Sequence, residues 1–177
     1  MSIVLVERSF PRPVNFDDIQ ALEKRGAGCL ETHRVRFLRS YFSRDRRRMV
    51  CLYEAPDAES VRLSQRNVGV PFDQVWATRS VRHSSDEPDG DAIIVERTLD
   101  PPVDEEMVRA AVERGSWCLE QYRCRIVWSY LSNDGKRAVC VFAGPDAESV
   151  RQTQRQTGLP FDGVWPASVH EPSSPPS

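Results

Sequence analysis

The sequence predicts an α+β fold made of two tandem ferredoxin-like βαββαβ units packed as a pseudo-dimeric α+β barrel. The first observation is an internal repeat, because Val6–Arg8 returns as Val95–Arg97 and Pro56–Arg62 returns unchanged as Pro145–Arg151. The second is that each copy is domain-sized, which is too long for a solenoid repeat. The third is the order of strand and helix signals within each copy, which is that of the split βαβ motif.

In the first copy the signals follow the order strand, helix, strand, strand, helix, strand, at about residues 3–8, 17–31, 33–43, 49–54, 57–69 and 72–78. The opening strand is a β-branched apolar run, and the first helix has apolar residues at helical spacing. Asp134-Gly135 in the second copy is a strong hairpin signal for the turn between the two middle strands. Asp57 is a typical N-cap for the second helix, and Gly69 ends it.

The repeat boundaries predict four segments: a first ferredoxin-like repeat at 1–79, a linker at 80–90, a second repeat at 91–170 and a tail at 171–177. The linker is polar, and the Pro/Ser-rich tail is typical of disordered sequence. A βαββαβ unit has both helices on one face of its sheet, so the other face needs a cover. The simplest cover is the sheet of the other copy, which would leave a cavity between the two sheets.

Composition narrows the class of partner. Charged residues make up 28% of the chain and the net charge is −2, so nucleic acid is not an expected partner. The chain has no apolar run of membrane-spanning length and no signal-peptide pattern at its start. We therefore expect a cytoplasmic protein with no membrane partner. It would be a monomer with an internal pseudo-dimer that binds a small molecule or metal ion, and further oligomerisation stays open.

The five cysteines do not form a CxxC pair, so no structural zinc site is expected. Cys29 and His33 are four residues apart, a spacing that suits a metal if the helix continues between them. They are therefore weak candidates for metal ligands. Tyr122 takes the place of His33 in the second copy, so any site that uses the histidine would exist in one copy only.

Three stretches together resemble a known family: Ser40-Tyr41, Cys51–Arg62 and Gly69–Asp73. They are similar to the bacterial domain of unknown function family 4242, which includes a protein described as nickel-binding. The resemblance covers nearly all of both copies and implies the same ferredoxin-like fold and dimeric barrel. It also implies nickel or another divalent metal as an optional ligand, whereas the residues themselves predict no cofactor. Many family members carry histidine before the Ser-Tyr pair, where this chain has Arg39 and Trp128.

Three pairs of equivalent residues are candidate catalytic groups, namely Glu7, Glu96, Arg36, Arg125, Tyr41 and Tyr130. A carboxylate at the end of an apolar strand suits a general base, and an arginine within a strand can hold a carboxylate bidentately. The alternative is an internal Arg–Glu pair that stabilises the sheet. Strict alternation places Arg36, Leu38 and Ser40 on one strand face and Phe37 and Tyr41 on the other.

Five further residues are candidate ligand-binding groups, namely His33, Cys51, Gln65, Cys140 and Gln154. Gln65 and Gln154 fall on the inward face of the second helix of each copy, where a buried amide needs partners. The two cysteines lie in mid-strand, and a buried core thiol is the alternative for both. His83 and His170, in the linker and at the tail, are not expected to take part.

These observations favour a small-ligand or metal-ion binding protein with its site between the two sheets. A cofactor-independent enzyme that uses Glu, Arg and Tyr side chains of the cavity is the first alternative. A structural or interaction module without a ligand is the second. Nucleotide-binding and phosphate-binding motifs are absent from the sequence, as is an obvious nucleophile–base pair.

Overall fold

The computed structural model describes residues 1–172, which form two compact units. Unit 1 comprises Met1–Ala77 together with residues 169–172, and unit 2 comprises Thr78–Ser168. Most of the predicted tail, from residue 173 onward, lies outside the described residues. No helix among the described residues is both long enough and apolar enough to cross a membrane.

Unit 1 holds the first copy of the βαββαβ pattern. Its elements are β1 (Ser2–Ser9), α1 (Phe16–Arg25), α2 (Ala27–Thr32), β2 (Arg36–Ser43), β3 (Arg48–Ala55), α3 (Ala58–Val68) and the start of β4 (Gln74–Arg82). Strand β3 pairs antiparallel with both β1 and β2. The side chain of Asp57 caps α3 by accepting from the amide of Ser60 at 2.7 Å, and Gly69 ends the helix in the left-handed conformation.

Unit 2 repeats the pattern with one helix fewer. Its elements are the end of β4, then β5 (Ala92–Thr98), α4 (Glu105–Gln121), β6 (Arg125–Ser132), β7 (Arg137–Ala143), α5 (Ala147–Thr157) and most of β8 (Gly163–His170). The strands of this unit lie in the order β8-β5-β7-β6-β4. The predicted α+β class and the two ferredoxin-like repeats are thus confirmed, while the pseudo-dimeric barrel stays a prediction.

The long first helix predicted in each copy is continuous in unit 2 but broken in unit 1. The break falls at Gly26, where a Cβ atom would overlap the side chain of Val68 on α3. Glycine therefore allows the backbone of the first helical segment to lie directly against α3. At the equivalent Gly115 an added Cβ would lie 3.3 Å from Thr157, so the two helices of unit 2 are less crowded.

The compact units do not coincide with the sequence repeats. Residues Thr78–Arg82, the end of the first repeat's last strand, pair with β6 inside unit 2. The end of β8 returns in the same way to unit 1, where His170 stacks on Phe16 with the ring centroids 3.7 Å apart. Since β4 runs to Arg82, the first three residues of the predicted 80–90 linker belong to a strand.

In each unit the core lies between one face of the sheet and the helices. In unit 1 it contains Val4, Val6, Cys51, Tyr53 and the α3 residues Val61 and Val68. In unit 2 it contains Ile93, Val95, Cys140, Phe142 and Val150. Val4 and Val6 of β1 share the helix face with Cys51 and Tyr53 of β3, as the alternation of side chains along a strand requires.

The predicted alternation along β2 is wrong. The strand carries a β-bulge at Leu38, so that Phe37 pairs with Tyr53 and Ser40 pairs with Cys51. One extra residue shifts every later side chain to the other face. Strict alternation places Phe37 and Ser40 on opposite faces of the strand. The bulge puts both of them on the helix face. Strand β6 has an equivalent bulge between Ile126 and Trp128.

Candidate functional site

A cavity of about 110 Å³ lies inside unit 2, between the sheet and helices α4 and α5. Its walls are mainly apolar side chains, and it reaches the surface beside α4, where Met107 is exposed and Val108 is half-buried. The lining residues used below are Arg97, Leu99, Ala111, Val112, Ile126, Ser129, Leu131, Ala138, Cys140, Phe142, Thr153 and Gln154. An apolar pocket with a few converging polar groups is the usual form of a small-molecule site.

Arg97 is the one charged side chain among the described residues that line this cavity. It is buried, and its guanidinium donates to the carbonyl of Pro160 at 2.9 Å and to the side-chain oxygen of Gln154. Gln154 in turn donates to Thr153 Oγ1 at 2.9 Å. Within residues 1–172 no carboxylate lies at ion-pair distance from this guanidinium, so its positive charge is neutralised by no protein group there.

The equivalent arginine of unit 1, Arg8, is buried and has more side-chain partners. It donates to Gln65 Oε1 at 2.6 Å, to the carbonyl of Pro71 at 2.8 Å and to the hydroxyl of Tyr53 at 3.4 Å. Glu23 lies 4.0 Å from the same guanidinium and accepts from the Tyr53 hydroxyl at 2.6 Å. Unit 1 therefore supplies both a carboxylate and a phenol to its buried charge.

Sequence differences between the copies account for the cavity. Val112 stands where unit 1 has Glu23, and Phe142 stands where it has Tyr53, so both polar partners are missing. Several large residues of unit 1 are also replaced by smaller ones: Phe10 by Leu99, Leu22 by Ala111, Phe37 by Ile126, Phe42 by Leu131 and Met49 by Ala138. The same backbone fold thus encloses a packed core in unit 1 and the cavity in unit 2.

A second polar feature of the cavity is a row of three hydrogen-bonding side chains. The Nε2 atom of His83 lies 3.0 Å from Ser129 Oγ, and Ser129 Oγ lies 3.5 Å from Cys140 Sγ. Ser129 and Cys140 both line the cavity. Burial lowers the pKa of His83, and the nearby positive charge of Arg109 adds to this effect. The imidazole is thus favoured in its neutral form.

Four of the five predicted ligand-binding residues form two groups, and the fifth, His33, lies at the end of α2. Cys140 and Gln154 line the unit 2 cavity, on its sheet side and its helix side. Cys51 and Gln65 are their counterparts in unit 1, where both are buried in a filled core. Burial raises the pKa of Cys51, whose thiol accepts from Ser40 at 3.1 Å, so that thiol stays protonated at neutral pH.

The structure does not bring the predicted Glu and Arg candidates together. Arg36 is exposed and donates from Nε to Glu54 Oε2 at 2.9 Å, so its carboxylate partner is Glu54 and not Glu7. Glu7 is buried on the sheet face opposite the helices, where it accepts from Trp76 Nε1 at 3.4 Å. Arg125 instead holds the segment after β4 by donating to Ser84 Oγ at 3.1 Å.

The remaining catalytic candidates lie away from the cavity. Tyr41 is buried, with its hydroxyl 3.4 Å from Arg39 Nη1, and Glu96 is half-buried near the end of β5. Tyr130 stacks on Trp128. The Arg82 guanidinium lies 5.1 Å from the centroid of the Trp128 ring.

The residues do not fit a nickel centre. Among the described residues no group of three or more His, Cys, Asp or Glu side chains converges as a metal site requires. Cys29 accepts from Asn67 Nδ2 at 3.4 Å, and His33 ends helix α2 as its C-cap. The positions of the family histidine are occupied by Arg39, which pairs with Glu171, and by the stacked Trp128.

Sequence reasoning missed the two buried arginines and His83. Arg8 and Arg97 follow the repeated Val-Glu pair, and each lies on the sheet face that carries the inward glutamine of its copy. In both repeats an arginine and an inward glutamine therefore fall on facing surfaces. This repeated pattern could have identified the two buried arginines. No sequence pattern predicted a role for His83, because its position depends on the extension of β4 beyond the repeat boundary.

Two βαββαβ repeats with a pocket between sheet and helices define a tandem ferredoxin-like α+β protein. The chain belongs to the nickel responsive protein SCO4226-like family, whose model matches residues 5–77 and 94–166. This match confirms a two-repeat family whose name refers to nickel. The family that matches carries this description, and not the predicted number 4242. No curated protein matches the sequence.

Solved structures support the fold. A candidate chlorite dismutase shares 11% identity with this chain, at a TM-score of 0.53, over 96% of this chain and 94% of its own. A novel heme-binding protein from Thermus thermophilus shares 7% identity at a TM-score of 0.49, over 95% and 90% of the two chains. At 11% identity the candidate chlorite dismutase shows a common fold and nothing further. The heme-binding protein, with its lower TM-score, adds no support for the fold.

Proposed function

We propose that this protein binds a small carboxylic acid with a compact apolar body, in the cavity of unit 2. The observation that carries the proposal is Arg97, a buried guanidinium that lines an apolar cavity and has no protein carboxylate within ion-pair distance in residues 1–172. In unit 1 the same guanidinium position is matched by Glu23. A ligand carboxylate in unit 2 would take the place that Glu23 holds in unit 1.

The charge at Arg97 favours an anion of this kind. A guanidinium has five N–H donors, and two protein acceptors account for two of them here. Its planar fork matches a carboxylate, and a charge-assisted pair is strong where water is excluded. A buried positive charge without a counter-charge is costly, so the anion would stabilise unit 2 as well as bind to it.

The size and lining of the cavity define the rest of the ligand. An apolar protein cavity of roughly 150 Å³ accommodates benzene, so the smaller volume of about 110 Å³ suits a short straight or branched chain. Apolar walls such as Val112, Leu131 and Phe142 favour a hydrocarbon body. A nickel ion is not the ligand proposed, because this lining offers Cys140 as its one residue of the His, Cys, Asp and Glu set.

Calorimetry and thermal melting with matched ligand pairs test this function. Butyrate and isobutyrate should bind and raise the melting temperature, whereas butyramide and isobutyramide, which lack the charge, should do neither. A ligand at a hundred times its dissociation constant stabilises the folded state by about 2.7 kcal/mol. Equal binding of acids and amides would refute the proposal.

Variants locate the site. Arg97→Met should abolish binding of the acids, while Arg36→Met, which removes an exposed arginine, should leave it unchanged. The double substitution Val112→Glu with Phe142→Tyr gives unit 2 the carboxylate and phenol of unit 1 and should also abolish binding. Because that variant keeps Arg97 paired, it tests the site even if Arg97→Met fails to fold.

A further inference from the structure

The row formed by His83, Ser129 and Cys140 is a second chemical feature of the cavity, independent of Arg97. Ser129 bridges the other two, at 3.0 Å from the imidazole and 3.5 Å from the thiol. A hydroxyl both donates and accepts, so this serine can pass a proton from the thiol to the imidazole in one concerted step. The lowered pKa of His83 leaves its ring neutral and able to accept that proton.

The register of the sheet places this thiol beside Arg97. Val95 on β5 pairs with Cys140 on β7, and Arg97 pairs with Ala138. Arg97 and Cys140 are therefore diagonal neighbours on the same face, roughly 7–8 Å apart along the sheet. A short acid whose carboxylate lies against Arg97 would have its carbon chain close to the sulfur.

We propose that Cys140 is a nucleophile that reacts with an electrophilic carboxylate held by Arg97, with Ser129 and His83 accepting the thiol proton. This rests on the proposed function, since the same cavity must bind the acid. The substrate class is a short carboxylic acid with an electrophilic carbon, such as an α,β-unsaturated acid. Cys140 is the residue that forms the bond to the acid, whereas His83 acts through Ser129 and is a positioning residue.

The reaction with an unsaturated acid is an addition and needs no further reactant. The sulfur lone pair forms a bond to the β-carbon, and the electron pair of the carbon–carbon double bond moves to the α-carbon. The proton that leaves the thiol passes through Ser129 to His83 and is then delivered to the α-carbon. With a haloacid the same attack displaces halide, and the proton remains on His83.

Unit 1 supplies an internal control. Ser40 and Cys51 form the same serine–cysteine pair at 3.1 Å, also diagonal to an arginine, Arg8. The Cys51 thiol lies in a filled core with Tyr53 and Met49, and within residues 1–172 neither Ser40 nor Cys51 has a hydrogen bond to a histidine. The proposal therefore assigns reactivity to one of two sequence-equivalent cysteines.

Alkylation of the full-length folded protein, followed by peptide mass spectrometry, tests the proposal. The probes are iodoacetate, which carries a carboxylate, and iodoacetamide, which does not. Cys140 should be alkylated faster than Cys51 and should favour iodoacetate over iodoacetamide by about tenfold relative to the half-buried Cys29. Labelling of Cys140 no faster than that of Cys51 overturns the nucleophile.

Substitutions separate the two ideas. His83→Gln keeps a hydrogen-bonding group but removes the base, so the Cys140 rate at pH 7 should fall by about a hundredfold. In that variant the logarithm of the rate should rise by about one per pH unit, as for an unassisted thiol, whereas the unchanged protein should show a plateau above the pKa of His83. An unaltered rate and pH profile in the variant overturn the relay.

Arg97→Met should remove the preference for iodoacetate but leave the iodoacetamide rate dependent on His83. That result supports both proposals. Equal labelling of the unchanged protein by the two probes, with the His83 dependence retained, refutes the carboxylate site and leaves the nucleophile standing. The labelling rate of Cys29 in each variant reports whether the fold is intact.

Discussion

The two units place the same buried Arg–Gln pair under their helices and complete it differently. In unit 1, Arg8 meets Glu23 and Tyr53 in a core filled by large side chains. In unit 2, Arg97 meets neither group and borders a cavity of about 110 Å³. The comparison shows that one fold can use a buried positive charge as a packed structural element or expose it to a cavity. A few side chains on one face of the sheet and one helix make the difference.

The largest effect should come from Glu23→Val, which gives unit 1 the residue found in unit 2. Arg8 would remain buried without its carboxylate, and removal of one partner of a buried pair costs about 3–5 kcal/mol. Because Glu23 is partly exposed, we expect a loss near the lower end of that range, measured by urea denaturation. Val112→Ala is the control and should cost clearly less; similar losses at both positions would contradict the assigned role of Glu23.

Tyr53→Phe should have the next largest effect. It removes the hydroxyl that donates to Glu23 and accepts from Arg8, and hydrogen bonds to charged groups contribute about 1.5–3 kcal/mol. Tyr122→Phe is the matched control, because the Tyr122 hydroxyl accepts from Gln156 in an exposed hydrogen bond. Equal melting temperatures for the two variants would show that the unit 1 network adds nothing to stability.

Ala138→Met should fill part of the unit 2 cavity with the residue that unit 1 has at Met49. Cavity filling typically stabilises a protein by about 0.5–2 kcal/mol. We therefore expect a higher melting temperature together with weaker binding of butyrate and isobutyrate. A more stable variant that binds both acids as before would place their site elsewhere.

The smallest effect is a pH dependence that distinguishes unit 2. Burial lowers the pKa of His83 in the folded state, whereas the unfolded value is about 6.5. The contribution of this group is therefore present above about pH 6.5 and is lost as the pH falls toward the lowered folded pKa. The free energy of unfolding should decrease on acidification, and His83→Gln should flatten that dependence. His170, whose pKa burial also lowers, should contribute a loss of the same sign.

The repeat, the element order and the faces of β1 and β3 followed from sequence because they depend on local pattern and internal symmetry. The face of β2 did not follow, because the bulge at Leu38 adds one residue without a glycine or proline to mark it. The break at Gly26 could not be predicted either, because it depends on the close approach of Val68 from another helix.

The candidate site was recovered in part. Gln154 is a candidate from its inward position on the helix and Cys140 from its place in mid-strand, and both line the cavity. Arg97 was passed over because charged residues are rarely expected beneath a helix layer, an expectation that fails when an amide such as Gln154 accepts from the charge. The cavity itself follows from volume differences at positions such as Ala138, and those become visible only when both copies are compared in space.

The exchange of strand ends between the units has a consequence for the order of events during synthesis. Multidomain chains generally fold from the N-terminus as they emerge from the ribosome. Here unit 1 acquires the stacking of His170 on Phe16 and the Arg39–Glu171 ion pair only from residues that follow Ser168, where unit 2 ends. Unit 2 has every residue it needs once Ser168 has emerged. The half of the protein that is translated first is therefore the half that is completed last.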